Sequence, residues 1–133
     1  MEIRELIEKI VSSSPYAQKS GVRLVLQPMS FAPELRKCLC YAGFDIVNEK
    51  LCKAAGRVYT VICAEYDGIK REYSDAELIL GRKNIENREE LFSEYAKKAI
   101  KKLETQIKGK QSGGIDCEYE RGLLEKITAV IEE

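Results

Sequence analysis

Apolar positions repeat along the chain with two different periods, and the change of period marks its elements. Ile3, Leu6, Ile7, Ile10 and Val11 fall on one face of a helix, which Ser12-Ser13-Ser14-Pro15 ends. Val22 to Leu26, bounded by Gly21 and Pro28, is too short for a helix and is apolar on both sides of the pleat apart from Arg23. That pattern predicts a strand covered from both faces, as in a parallel sheet. Ser30 offers an N-cap and Pro33 suits a first turn, and Leu35, Cys38, Leu39 and Ala42 repeat at helical spacing until Gly43 stops them. Phe44 to Leu51 alternates, placing Phe44, Ile46 and Asn48 on one face and Asp45, Val47 and Glu49 on the other. Arg57 to Glu65 is rich in β-branched residues. The short Ala55-Gly56 connection makes these two strands an antiparallel hairpin.

From Tyr66 to Asn84 the pattern turns mixed and polar, with a short helix expected near Asp75 to Leu80 ahead of Gly81. Asn87 and Glu90 have the spacing of a capping box, and they would open a long helix with Leu91, Phe92, Tyr95, Ala96, Ala99, Leu103 and Ile107 as its apolar stripe, ending near Lys108. Gln111-Ser112-Gly113-Gly114 reads as a turn, and Tyr119, Leu123, Leu124, Ile127, Val130 and Ile131 mark a last helix. Two such helices bury each other's stripes as an antiparallel hairpin. The expected architecture is α/β, helix-strand-helix-strand-strand, followed by a helical hairpin. Residues 1–84 form the sheet-containing part and 85–133 a coiled-coil-like tail. In such three-layer proteins helices sandwich the sheet, and ligands bind at the carboxyl ends of the strands.

Composition narrows the chemistry. The 133 residues hold 22 Lys plus Arg against 22 Asp plus Glu, so any attraction for nucleic acid must come from a local patch. No apolar run approaches the roughly eighteen residues of a membrane span, and the acidic start is unlike a signal peptide, which points to a cytoplasmic protein. The chain has no histidine, which removes serine triads, Cys-His pairs and histidine proton shuttles. Cys38, Cys40, Cys52, Cys63 and Cys117 follow no metal spacing; Cys38 and Cys40 diverge on a helix, so reduced thiols and no metal site are expected. The acidic group Glu65, Asp67, Asp75 and Glu77 reads as loop solvation.

Leu24-Val25-Leu26-Gln27-Pro28-Met29, then Leu35-Arg36, Ala42-Gly43-Phe44, Glu49, Tyr59 and Ala64-Glu65 together resemble the later part of the tRNA (adenine-22-N1)-methyltransferase family. By motif the likeness runs from Ile3 to about Glu65, and it extends to the helical tail by architecture. It implies a partial Rossmann-like class I methyltransferase fold with a helical tail, and methyl transfer from S-adenosylmethionine to N1 of an adenine in tRNA. The strand ending at Leu26 would be the fifth of that fold, and the hairpin its last pair. Neither the family's Gly-Met-Gly-Gly turn nor its early glycine-rich strand-loop matches any stretch here. The resemblance therefore implies that the cofactor is not bound by this chain alone. It also implies a sheet edge at Val22 to Leu26 open to a separate N-terminal half or to self-association.

On the same map, Gln27 and Pro28 would line the pocket beside the target base. N1 attack on a sulfonium methyl needs positioning and an unstacked base more than a strong general base. Lys97, Lys98, Lys101 and Lys102, continued by Lys108 and Lys110, give the long helix a basic side that would hold RNA phosphates. Arg36 and Lys37 would add to it near the crevice. Against this stands a solvated helix face balanced by Glu89, Glu90, Glu94 and Glu104, with lysines favoured near a helix C-terminus. A non-catalytic RNA- or protein-binding module is the alternative function.

Overall fold

The computed structural model describes residues 23–28 and 30–132. The helix expected at Ile3 to Val11 lies outside them. The elements run β1 (Arg23–Leu26), α1 (Ala32–Tyr41), β2 (Phe44–Ala54), β3 (Arg57–Tyr66), α2 (Asp75–Leu80), α3 (Arg82–Asn87), α4 (Phe92–Ser112) and α5 (Glu118–Glu132). No described helix is long and apolar enough to cross a membrane.

The hairpin forms where the alternation predicted it. Its turn residues Ala55 and Gly56 both take positive φ, 52° and 77°, the twist that a two-residue hairpin connection favours. The strands form a sheet of order β1-β3-β2, with both pairings antiparallel. β1 therefore pairs with β3 antiparallel, and a parallel neighbour of the kind its apolar run suggests is not among the described strands. Nor is it covered on both faces, since Val25 is 69% exposed. An apolar run without polar alternation shows only that a strand can be buried, and β1 sits at an edge of the described sheet.

Register is where simple alternation fails. Phe44 and Ile46 face inward, but the pairing slips between Ile46 and Asn48, a β-bulge centred on Val47. One extra residue exchanges the two faces beyond it. Asn48, expected to share a face with Ile46, is exposed, while Glu49 and Leu51 are buried.

The buried residues of β3 are Val58, Thr60, Ile62 and Ala64, all on one face. On that face Leu35, Leu39 and Cys40 of α1 pack against Phe44, Ile46, Ile62 and Ala64. Further along, Leu51 and Val58 join Ala76, Leu80, Phe92, Ala96, Leu103, Leu123 and Ile127 in a second cluster, so the helical hairpin shares a core with the sheet across the boundary expected at residues 84 and 85. The opposite face of β3, with Tyr59, Val61 and Cys63, is only half-buried. Among the described residues the sheet is thus packed from one side rather than sandwiched.

Two helix starts differ from expectation. α1 begins at Ala32 with Phe31 in the N-cap position, and no side chain caps it, so Ser30 does not serve. The capping box occurs at α2, where Ser74 accepts from the Glu77 amide and the Glu77 carboxylate accepts from the Ser74 amide. Asn87 instead ends α3, a helix the polar pattern did not predict, and its side-chain amide donates to Asn48 and to the Glu49 carbonyl across to β2. A tertiary partner has replaced the local one, and α4 starts uncapped after Leu91.

Candidate functional site

A groove of about 740 Å³ opens between the segment after β1 and the middle of α4. Its apolar floor includes Val58, Tyr59, Ile79, Ala99 and Leu103. Pro28, Ala32 and Pro33 line the strand-end side, and Lys98, Lys101 and Lys102 the helix side. Because β3 runs antiparallel to β1, its first residues lie at the same edge of the sheet as the carboxyl end of β1. Strand-end crevices of this kind are where open α/β sheets receive ligands.

The structure thus brings Pro28 together with three of the expected lysines. Gln27 is exposed and outside the groove lining, as is Lys97. Lys37 is exposed on α1. Lys98, Lys101 and Lys102 make no ion pair among the described residues. The acids expected to balance them are partly engaged elsewhere: Glu89 accepts from the Leu51 amide at 2.9 Å, and Glu94 pairs with Lys53 at 3.0 Å. A local charge excess therefore faces solvent on a chain with no net charge. Lys110, near the end of α4, is paired with Glu120.

Arg36 does not belong to that exposed set. Its side chain is completely buried and pairs with an equally buried Glu49, Nη2 to Oε1 at 2.8 Å, with Nε donating at 3.0 Å to the other oxygen. Nη1 donates to the carbonyls of Leu78 and Ile79, and Nη2 also donates to the Tyr95 hydroxyl at 2.9 Å. Glu49 in turn accepts from Thr60 at 2.7 Å and from Asn84 at 3.2 Å. Burial works against charge on Arg36, but Tyr95 and Glu49 together hold it above the ordinary guanidinium value. A charge so enclosed cannot meet a phosphate. The expectation that Arg36 contacts RNA is corrected: the bulge that turns Glu49 inward supplies the partner that keeps Arg36 inside.

The acidic residues flanking the sheet have local partners. Glu65 accepts from Arg23, Asp67 from Arg71, Asp75 from Tyr119 and Glu77 from Arg82. None of the five cysteines forms a disulfide, and no group of three or more metal-ligating side chains converges among the described residues. Sequence reasoning passed over Tyr59 and Tyr95 as groove residues. Tyr95 stands three and seven positions before Lys98 and Lys102, a spacing that places all three on one face of α4.

A family model for tRNA (adenine(22)-N(1))-methyltransferase matches residues 4–133. The chain belongs to that family. Among solved structures, Streptococcus pneumoniae Sp1610, a candidate tRNA (m1A22) methyltransferase, is 26% identical with a TM-score of 0.65, over 97% of this chain and 56% of that one. The same protein in complex with S-adenosyl-L-methionine matches with 26% identity and a TM-score of 0.65, over 97% and 55% of the two chains. The B. subtilis m1A22 tRNA methyltransferase shares the fold at 20% identity and a TM-score of 0.63, over 97% of this chain and 56% of that one. The search of curated proteins finds no match. This member of the family spans little more than half the length of these solved relatives.

The groove's lining does not fit S-adenosylmethionine. A Rossmann-like sheet holds such a cofactor on a glycine-rich turn after a strand, with an acidic side chain for the ribose hydroxyls. Among the described residues the lining contains no glycine, and its one carboxylate is Glu34, with Lys98, Lys101 and Lys102 in the same lining.

Proposed function

We propose that this chain is the C-terminal portion of a tRNA methyltransferase acting on N1 of an adenine, and that its part in the reaction is to hold the RNA. The observation that carries this reading is the groove itself, where Lys98, Lys101 and Lys102, without an ion pair among the described residues, line an apolar floor together with the Pro28 strand end. Ammonium groups on a rim attract the phosphate backbone without reading sequence. An apolar floor with a tyrosine suits the face of an unstacked base. Gln27, Lys37 and Lys97, exposed nearby in sequence, extend the RNA-facing surface in this reading. S-adenosylmethionine, the family's methyl donor, is held by segments other than this groove, and the chain alone is a grip rather than a catalyst.

The test is binding of a transcribed tRNA to the chain over a range of salt, followed by fluorescence anisotropy. Affinity should fall with salt, and the logarithmic slope should become shallower by about 0.7–0.9 for each phosphate left without its ammonium in the Lys98→Ala, Lys101→Ala, Lys102→Ala triple variant. An identical slope for both proteins would remove these lysines from the reading. In parallel, calorimetric titration with S-adenosylmethionine should give no binding heat; saturable binding by the chain would overturn the assignment of the cofactor to other segments.

A further inference from the structure

We infer that Tyr95 is a positioning residue for the groove, with buried Arg36 as its anchor. This rests on the RNA-holding role of the lysine rim and adds to it the element that aims that rim. Tyr95 lines the groove, yet its hydroxyl points inward to the Arg36 guanidinium at 2.9 Å. The same guanidinium grips the Glu49 carboxylate on β2 and the Leu78 and Ile79 carbonyls in α2. One side chain thereby ties α4 to α1, the sheet and α2. Apart from the solvent-exposed pair of Glu94 with Lys53, α4 meets the sheet and α2 through apolar side chains, Phe92, Ala96 and Leu103 among them. Apolar packing resists separation, but it discriminates weakly between small rolls of a helix about its axis. A directional hydrogen bond to a fixed, desolvated charge does discriminate. Since Tyr95, Lys98 and Lys102 share a helix face, the roll that satisfies Tyr95 also sets where the two lysines stand relative to the Pro28 side.

Tyr95→Phe keeps the ring in the floor and removes only the anchored hydroxyl. In the full chain this variant should bind tRNA about fivefold more weakly, with the salt slope of the unaltered chain, because the lysines are still present but misdirected. Lys102→Ala differs by lowering the slope. Hydrogen exchange of the α4 amides gives a second readout that needs no RNA: exchange over residues 92–103 should quicken in Tyr95→Phe. Unchanged exchange there would overturn the positioning role whatever the RNA result, and tRNA affinity equal to that of the unaltered chain would overturn its link to the groove. Failure of the unaltered chain to bind tRNA would instead sink the RNA-holding reading and leave hydrogen exchange to judge Tyr95.

Discussion

Arg36 and the lysines of the groove carry the same charge in opposite surroundings, one fully enclosed with a matching carboxylate, the others open to water with no ion-pair partner among the described residues. In the sequence they are alike, each a basic residue on an amphipathic helix. What separates them is a single displaced residue in a neighbouring strand. Without the bulge at Val47, Glu49 would face the other side of the sheet, and Arg36 could not be buried at acceptable cost. The contrast shows that the fate of a charge is set by the register of another element.

The largest test of the contrast is to break the enclosed pair. Glu49→Gln leaves the Arg36 charge buried without its counter-charge, and urea unfolding should show a loss of about 3–5 kcal/mol. Replacing both partners, Arg36→Met with Glu49→Met, should recover only part of it. The double variant removes the stranded charge, but Thr60, Asn84, Tyr95 and the Leu78 and Ile79 carbonyls lose their partners as well. Full recovery would mean that the network contributes specificity without stability.

Next in size is Gly81→Ala. Gly81 has φ +91°, and a Cβ there would stand 2.8 Å from the Glu49 carboxylate and 2.9 Å from Arg36 and Asn84. The left-handed backbone and the crowding together should cost about 2–3 kcal/mol, read from the same urea curves. A smaller loss would show that the network can shift to admit a methyl group.

The elements that the sequence disclosed are those whose evidence is local. The Ala55-Gly56 turn joins two β-branched runs, and the stripes of α4 and α5 repeat over enough turns to be unambiguous, so hairpin and helical tail were both legible. The strand-end location of Pro28 and the basic side of α4 were also visible as parts. Their meeting in one groove was not, because it depends on how α4 lies on the sheet. The network around Arg36 was hidden for the same reason twice over: alternation assigned Glu49 to the wrong face, and Arg36 flanks an apolar stripe where an exposed arginine would look the same. Asn87 and Glu90 showed the opposite failure, a convincing local signal overruled by a distant partner in β2.

A milder effect is expected from pH. Burial pushes the Tyr73 hydroxyl up to about 12, against roughly 10 in an unfolded chain. A group raised in this way stabilises the fold fully below its unfolded value, and the contribution is lost as pH rises from about 10 towards 12. At the acid end, the hydrogen bond from Arg71 holds Asp67 down to about 2, against roughly 3.9 unfolded. Its contribution is present above the unfolded value and fades as pH falls towards 2. Melting temperatures followed across pH should decline in both windows, and Tyr73→Phe should flatten the alkaline decline while leaving the acid one. An alkaline limb unmoved by that change would assign it to other groups.

The smallest effect belongs to the exposed set, and its sign is the informative part. Lys98 lies three and four residues from Lys101 and Lys102, so the ammonium groups repel one another along one side of α4. Removing two of them, as in Lys98→Ala with Lys102→Ala, should leave stability unchanged or raise it by a few tenths of a kcal/mol at low salt, the gain disappearing as salt screens the repulsion. Arg36 and Glu49 would show no such screening, because no ions reach them. A loss of stability in the lysine variant would mean that these side chains find partners in solution, and the rim would then be an ordinary solvated helix face. A gain, combined with a shallower salt slope for tRNA, would mark a surface whose charge works against folding and is used only when a polyanion lies across it.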